Sequence, residues 1–94
     1  MEISVRLTKA LCHLNRGRKE AVCTLPDGGS VADLIDALDA EMPGIKSAVF
    51  DPAGGIADSI NIYVRGENIR YLRGTATSLS DGDQVSVIPA AAAG

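Results

Sequence analysis

Aromatic side chains are nearly missing: the 94 residues include no Trp, one Phe and two Tyr. Proteins that hold single-stranded nucleic acid stack bases on such rings, and so few argue against that use. Positive charge is also in short supply. Nine Lys and Arg face twelve Asp and Glu, for a net charge of −3, and the longest basic block is Arg16-Gly17-Arg18-Lys19. A surface that works by neutralising phosphates needs the opposite balance, so no nucleic-acid partner is expected. No apolar run approaches the ~20 residues of a membrane-spanning helix, so no membrane partner is expected either. The first residues, Met1-Glu2-Ile3-Ser4-Val5-Arg6, alternate in polarity where a signal peptide would be continuously apolar. A cytoplasmic protein is the expectation.

Side chains that carry chemistry are few. There is one histidine, His13, and there are two cysteines, Cys12 and Cys23. Two thiols make neither a disulfide scaffold nor the four-cysteine cage of an iron–sulfur centre. Cys12 and His13 are adjacent, but Cys23 is remote and a further ligand at finger-like spacing is missing, so no metal is expected. Cys23 reads as a small buried residue on a strand. Gly54-Gly55 lacks the third glycine and the Lys-Ser/Thr pair of a phosphate loop. Asp33, Asp36, Asp39 and Glu41 could be imagined as an acid cluster, but most of them fall on the solvated face of a helix. With no nucleophile–base pairing in view, the chain is expected not to be an enzyme and to bind no cofactor itself.

What is present is a well-punctuated run of secondary structure, long enough for one modest core. Residues 2–8 (EISVRLT) alternate strictly, with Ile3, Val5 and Leu7 on one face, which predicts a half-buried strand. Residues 9–18 form a connector longer than the two to five residues usual in a hairpin. Its length suggests either that Leu11 and Leu14 tuck onto the core or that the loop serves recognition. Residues 19–25 predict a second strand with Ala21, Cys23 and Leu25 inward. Ser30 is a good helix N-cap, with Asp33 completing an acidic capping box. Val31, Leu34, Ile35, Leu38 and Met42 then lie on one helical stripe that closes at Pro43-Gly44. Residues 45–58 read as mostly loop. Residues 60–65 predict a third strand with Ile60, Ile62 and Val64 inward, residues 69–72 a short edge strand, and residues 75–80 a loop with at most one helical turn.

Residues 81–94 (DGDQVSVIPAAAAG) complete the chain. Asp81-Gly82-Asp83 is a turn signal, since Gly tolerates positive φ and Asp closes turns on nearby backbone. Val85 to Ile88 is a β-branched strand, and Pro89, with no N–H, ends the ladder. Ala90, Ala91, Ala92 and Ala93 then lead to Gly94. Five extended residues span about 15–18 Å. The expected organisation is a body over residues 1–89 and a slim flexible tail over residues 90–94.

The segments INIYVRGENIR (residues 60–70) and DGDQVSVIPAAAAG resemble the MoaD/ThiS sulfur carriers, which are ubiquitin-like. Carriers feeding cysteine synthesis, which end on a strand, a Pro and a small-residue tail, are the most similar subgroup. The resemblance implies an α+β fold of the β-grasp type: a mixed sheet, one main helix on one face, and the first and last strands parallel and adjacent in the middle. It also implies that an adenylating, ubiquitin-activating-like partner uses ATP and Mg²⁺ to activate the Gly94 carboxylate. A partner persulfide then converts it to a thiocarboxylate that donates sulfur to a biosynthetic enzyme for cysteine, molybdopterin, thiamine or a related product. Ala90, Ala91, Ala92 and Ala93 would thread the partner's active site. In one respect the chain departs from the family, which ordinarily ends in Gly-Gly; here Ala93 adds a Cβ to the penultimate position. Two alternatives stand beside the carrier: a ubiquitin-like protein modifier, and a non-covalent β-grasp module whose tail does not react because of Ala93.

A second candidate surface is the sheet face opposite the helix. With Val85 and Val87 inward, Ile88 points outward near Tyr63, and Arg6 and Arg65 are expected to rim them. An apolar–aromatic centre with an arginine rim has the composition of a docking patch.

Overall fold

The computed structural model describes residues 1–89; the tail expected over residues 90–94 lies outside the described residues. Strand β1 (Glu2–Leu7) keeps its strict alternation, with Ile3, Val5 and Leu7 buried and Glu2, Ser4 and Arg6 exposed. It pairs antiparallel with β2 (Glu20–Thr24), Arg6 lying opposite Glu20 and Ile3 opposite Cys23. Strand β5 (Gln84–Pro89) runs parallel to β1 on its other side, with Val5 beside Val85 and Leu7 beside Val87. Strand β3 (Ile60–Val64) pairs antiparallel with β5, and the two-residue β4 (Glu67–Asn68) closes the far edge. The sheet order is β2-β1-β5-β3-β4. The first and last long strands are therefore the central parallel pair, as the resemblance implies.

Helix α1 (Val31–Glu41) covers one face through the fully buried Val31, Leu34, Ile35 and Leu38. Its start is the expected capping box. The Ser30 hydroxyl accepts from the Asp33 amide at 3.4 Å, and the Asp33 carboxylate accepts from the Ser30 amide at 2.9 Å. Two orphan donors of the first turn are satisfied this way. Ser30→Ala should therefore cost about 1 kcal/mol of stability, read from the midpoint of urea unfolding. An unchanged midpoint would show that the bonds of residues 29–31 to 77–79 hold this end without the cap. Those bonds are Val31 N–H to Thr77 O at 3.0 Å and Leu79 N–H to Gly29 O at 2.9 Å.

Two stretches depart from expectation. Residues 45–58, read as loop, contain a short helix α2 (Ile45–Val49). Ile45 and Val49, one turn apart, are both fully buried. One Asp39 carboxylate oxygen accepts from the amides of Gly44 and Lys46 at 3.2 and 3.1 Å, and Lys46 pairs with Asp36 at 2.7 Å. Part of the supposed acid cluster on α1 thus starts the next helix. The edge strand expected at residues 69–72 is a 3₁₀ turn, Ile69–Tyr71, and the true edge strand lies just before it. The Asn68 side chain accepts from the Arg70 amide at 2.9 Å, which turns the backbone out of the ladder and sends Ile69 into the core.

Candidate functional site

The register of the sheet defines which side chains share the face away from α1. Across the middle run Glu20, Arg6, Ser86, Tyr63 and Asn68, each on the strand next to the last. Neighbouring strands are about 4.8 Å apart, so this row is continuous across the sheet. Ile88 lies opposite Asn61, one diagonal step from Tyr63, a spacing of roughly 7–8 Å that aromatic side chains bridge. Tyr63 and Ile88 are half-buried and Arg6 is exposed. The face also carries Val22, 57% exposed, on the β2 edge. Three of the four expected patch residues, Arg6, Tyr63 and Ile88, therefore come together.

Arg65 does not join them. It occupies the two-residue turn between β3 and β4, where Arg65 and Gly66 both have positive φ (52° and 82°). That is the geometry that lets a two-residue hairpin follow the sheet twist. The Arg65 guanidinium is drawn to the Asp83 carboxylate, which is nearly buried. The pair sits where β5 begins, whereas Ile88 lies near the end of β5, about 15 Å further along the strand. Arg65 is thus part of the clamp that starts β5. Asp83 also accepts from the Ser80 amide at 2.7 Å, and Asp81 accepts from the Glu2 amide at 2.7 Å.

Arg70 occupies the place beside the patch, and nothing in the sequence pattern marks it. Its Nη2 donates to the carbonyls of Ala57 and Ile60 at 2.9 and 2.8 Å, and its Nε to the Asn61 side chain at 3.4 Å. These bonds fix the head of β3, where Ile60 lies opposite Pro89, the last described residue. Tyr71, 86% exposed, stands next to Arg70, and with Asn61, Tyr63 and Asn68 they line a shallow hollow. Arginine bonds to remote carbonyls are tertiary contacts, which leave no periodic trace in sequence.

The cysteines are inward structural residues. Cys12 and Cys23 are both free and buried. Burial, helped by the nearby Glu41 charge, pushes the Cys23 thiol above its ordinary range. Alkylation of Cys23 by iodoacetamide at neutral pH should run at least about tenfold slower than that of an exposed thiol, as peptide-mapped mass spectrometry reads it. Labelling as fast as that of a model thiol would show that this strand opens readily. No helix among the described residues is long and apolar enough to cross a membrane.

Comparison with known proteins covers the whole fold. The family model described as the ThiS family matches residues 6–94. A curated relative, the sulfur carrier protein CysO of Mycobacterium tuberculosis, is 32% identical over 96 residues and the match covers 100% of each chain. The small archaeal modifier protein 3 of Haloferax volcanii is 33% identical over 78 residues, covering 83% of this chain and 84% of that one. Among solved structures, the BexX/CysO complex of Amycolatopsis orientalis contains a chain of TM-score 0.83 and 27% identity, with 98% of this chain and 99% of that chain covered. The β-grasp arrangement implied by the sequence is the fold of these relatives.

Proposed function

The chain belongs to the ThiS family of ubiquitin-like sulfur carriers, and from that premise we propose that Gly94 is the atom-transfer point of the molecule. The relative matched over its whole length is named a sulfur carrier protein. In this reading an adenylating partner directs the Gly94 carboxylate onto the α-phosphorus of ATP, with Mg²⁺, forming an acyl-adenylate and releasing pyrophosphate. The terminal sulfur of a partner cysteine persulfide attacks the acyl carbon and expels AMP. A second thiol then reduces the resulting acyl disulfide, freeing the C-terminal thiocarboxylate. The protein supplies no general base or acid to these steps. It supplies position.

The observation that carries the proposal is the course of β5. It lies beside β1 at the centre of the sheet and reaches Pro89 at the edge of the body, with the Tyr63–Ile88 face next to it. Fully extended, five residues would span at most about 18 Å. Small residues there suit a narrow channel, because the backbone can come close to the reacting groups. The Tyr63, Ile88 and Arg6 face is the proposed docking surface for the activating enzyme. The preference for a cysteine-synthesis acceptor rests on the similarity to the CysO sulfur carrier.

A second reading is favoured by the similarity to the small archaeal modifier protein 3. A modifier shares the activation step, but its acyl group passes to a lysine amine and forms an isopeptide bond. The two readings separate in one assay. After incubation with ATP, adenylating enzyme and a sulfur source, a fluorescent electron-poor sulfonyl azide should label the carrier, since it condenses with thiocarboxylates and not with carboxylates. Label absent but heavier conjugates present on a gel would assign the modifier role instead.

A further inference from the structure

The cations of this acidic chain are not spread evenly. From Ile3 to Pro26 the sequence carries Arg6, Lys9, Arg16, Arg18 and Lys19, five of its nine Lys and Arg, against a single carboxylate, Glu20. The β1–β2 connector holding most of them is folded. Its 3₁₀ turn, Cys12–Asn15, is rooted by the buried Leu11 and Cys12. The Asn15 amide donates to the carbonyls of Arg18 and Glu20, both at 3.1 Å, and Arg16 and Gly17 take positive φ (57° and 81°). Lys9, Arg16, Arg18 and Lys19 are all exposed on this frame.

The topology fixes where the connector lies. β1 and β5 are parallel with Leu7 beside Val87, so the chain leaving Leu7 and the chain leaving Pro89 emerge from the same end of the sheet. Arg70 stands on the other side of that exit, bonded to Ala57 and Ile60. The connector itself, residues 8–19, carries four cations and no carboxylate; Glu20 follows it at the start of β2, and Asp39 and Glu41 stand at the end of α1 beside it.

We propose that the β1–β2 connector is a basic collar that steers the tail into an acidic rim around the active-site entrance of the enzyme that accepts it. This rests on the carrier reading above. A tail of five residues reaches at most about 15–18 Å from Pro89, so any enzyme engaging its tip must bring the entrance of its site against this end of the body. The connector it meets there is positive on a protein that is negative overall. An enzyme carrying carboxylates at its entrance is attracted end-on, with the tail leading, while the acidic remainder of the body is repelled. Long-range attraction of this kind raises encounter rates by roughly 10- to 1000-fold and is screened by salt.

The experiment measures kcat/KM for the carrier in adenylate formation, by ATP–pyrophosphate exchange with the adenylating enzyme that activates the wild-type chain. The triple variant Lys9→Glu, Arg18→Glu, Lys19→Glu changes exposed side chains only; the bonds of this segment use backbone carbonyls. At about 10 mM salt, where charges act over about 30 Å, kcat/KM should fall roughly 10- to 100-fold with kcat at saturation unchanged. At about 1 M salt, where the range is about 3 Å, variant and wild type should converge. Arg73→Glu, exposed near the opposite end, matches a single Lys19→Glu reversal in net charge and should leave kcat/KM within about twofold of wild type. A triple variant with wild-type kcat/KM at low salt overturns the collar while the carrier role stands. A loss equally large at both salt concentrations also overturns it, because a screened field cannot produce that result. No exchange from the wild-type chain with any adenylating enzyme removes the carrier reading, and the collar with it.

Discussion

Removing Gly94 should abolish activation: ATP–pyrophosphate exchange by the adenylating enzyme falls to the rate measured without carrier, on the order of a hundredfold or more. Shortening by one residue leaves a carboxylate on Ala93, but that group then stops about 3.5 Å short of the α-phosphorus. In-line attack does not tolerate such a gap. The body should be untouched, because the residues of β5 that build the core, Val85 and Val87, lie well before the deletion. An unchanged urea midpoint in the same sample separates lost chemistry from lost folding. Ala93→Gly tests the same region in the opposite direction. Removing the extra Cβ restores the family's Gly-Gly ending and should raise the exchange rate. Full exchange by the Gly94 deletion would show that the tail tip is not the reacting group.

Ile88→Asp should weaken binding to the activating enzyme by roughly 10- to 100-fold, or about 1.4–2.7 kcal/mol. Ile88 sits on the open face diagonal to Tyr63, where a carboxylate would enter the apolar centre of the contact and lose its water. The side chain is only half-buried in the free protein, so the fold should persist. Tyr63→Ala should cost a similar order by removing aromatic contact area. Arg65→Ala is the discriminating control. It breaks the pair with Asp83 at the start of β5, away from Ile88, and should leave the dissociation constant unchanged while lowering stability somewhat. Unchanged affinity for both Ile88→Asp and Tyr63→Ala, measured by calorimetry, would remove this face from the interaction.

Much of the body is legible in the chain because single local signals decide it. Strict alternation places Ile3, Val5 and Leu7 inside, and the Ser30–Asp33 box starts α1 where it was expected. Strand order is a different matter: periodicity yields elements, and the adjacency of β1 and β5 came from the family resemblance. The misread segments share a cause. Helix α2 is five residues long, too short for a helical period to show, and it forms because Asp39 caps it and the core takes Ile45 and Val49. At residues 68–71 the Asn68 side chain competes with the sheet for the backbone, so a β-like composition ends as a 3₁₀ turn. Strand alternation places Arg65 in the patch, but alternation ends at a positive-φ turn, and Asp83 captures the side chain. Arg70 leaves no mark in the sequence because its partners, Ala57 O and Ile60 O, are backbone atoms that any sequence would offer.

The central claim is that sulfur is placed on Gly94, and intact-protein mass spectrometry tests it most directly. The chain is incubated with ATP, Mg²⁺, its adenylating enzyme and a persulfide donor, then fragmented from the C-terminal end. The expected result is a mass increase equal to the exchange of one oxygen for one sulfur, localised to Gly94 and absent when ATP is withheld. An unchanged mass from a reaction in which the enzyme adenylates a known carrier would contradict it, as would sulfur found on Cys12 or Cys23 in place of the C-terminal residue.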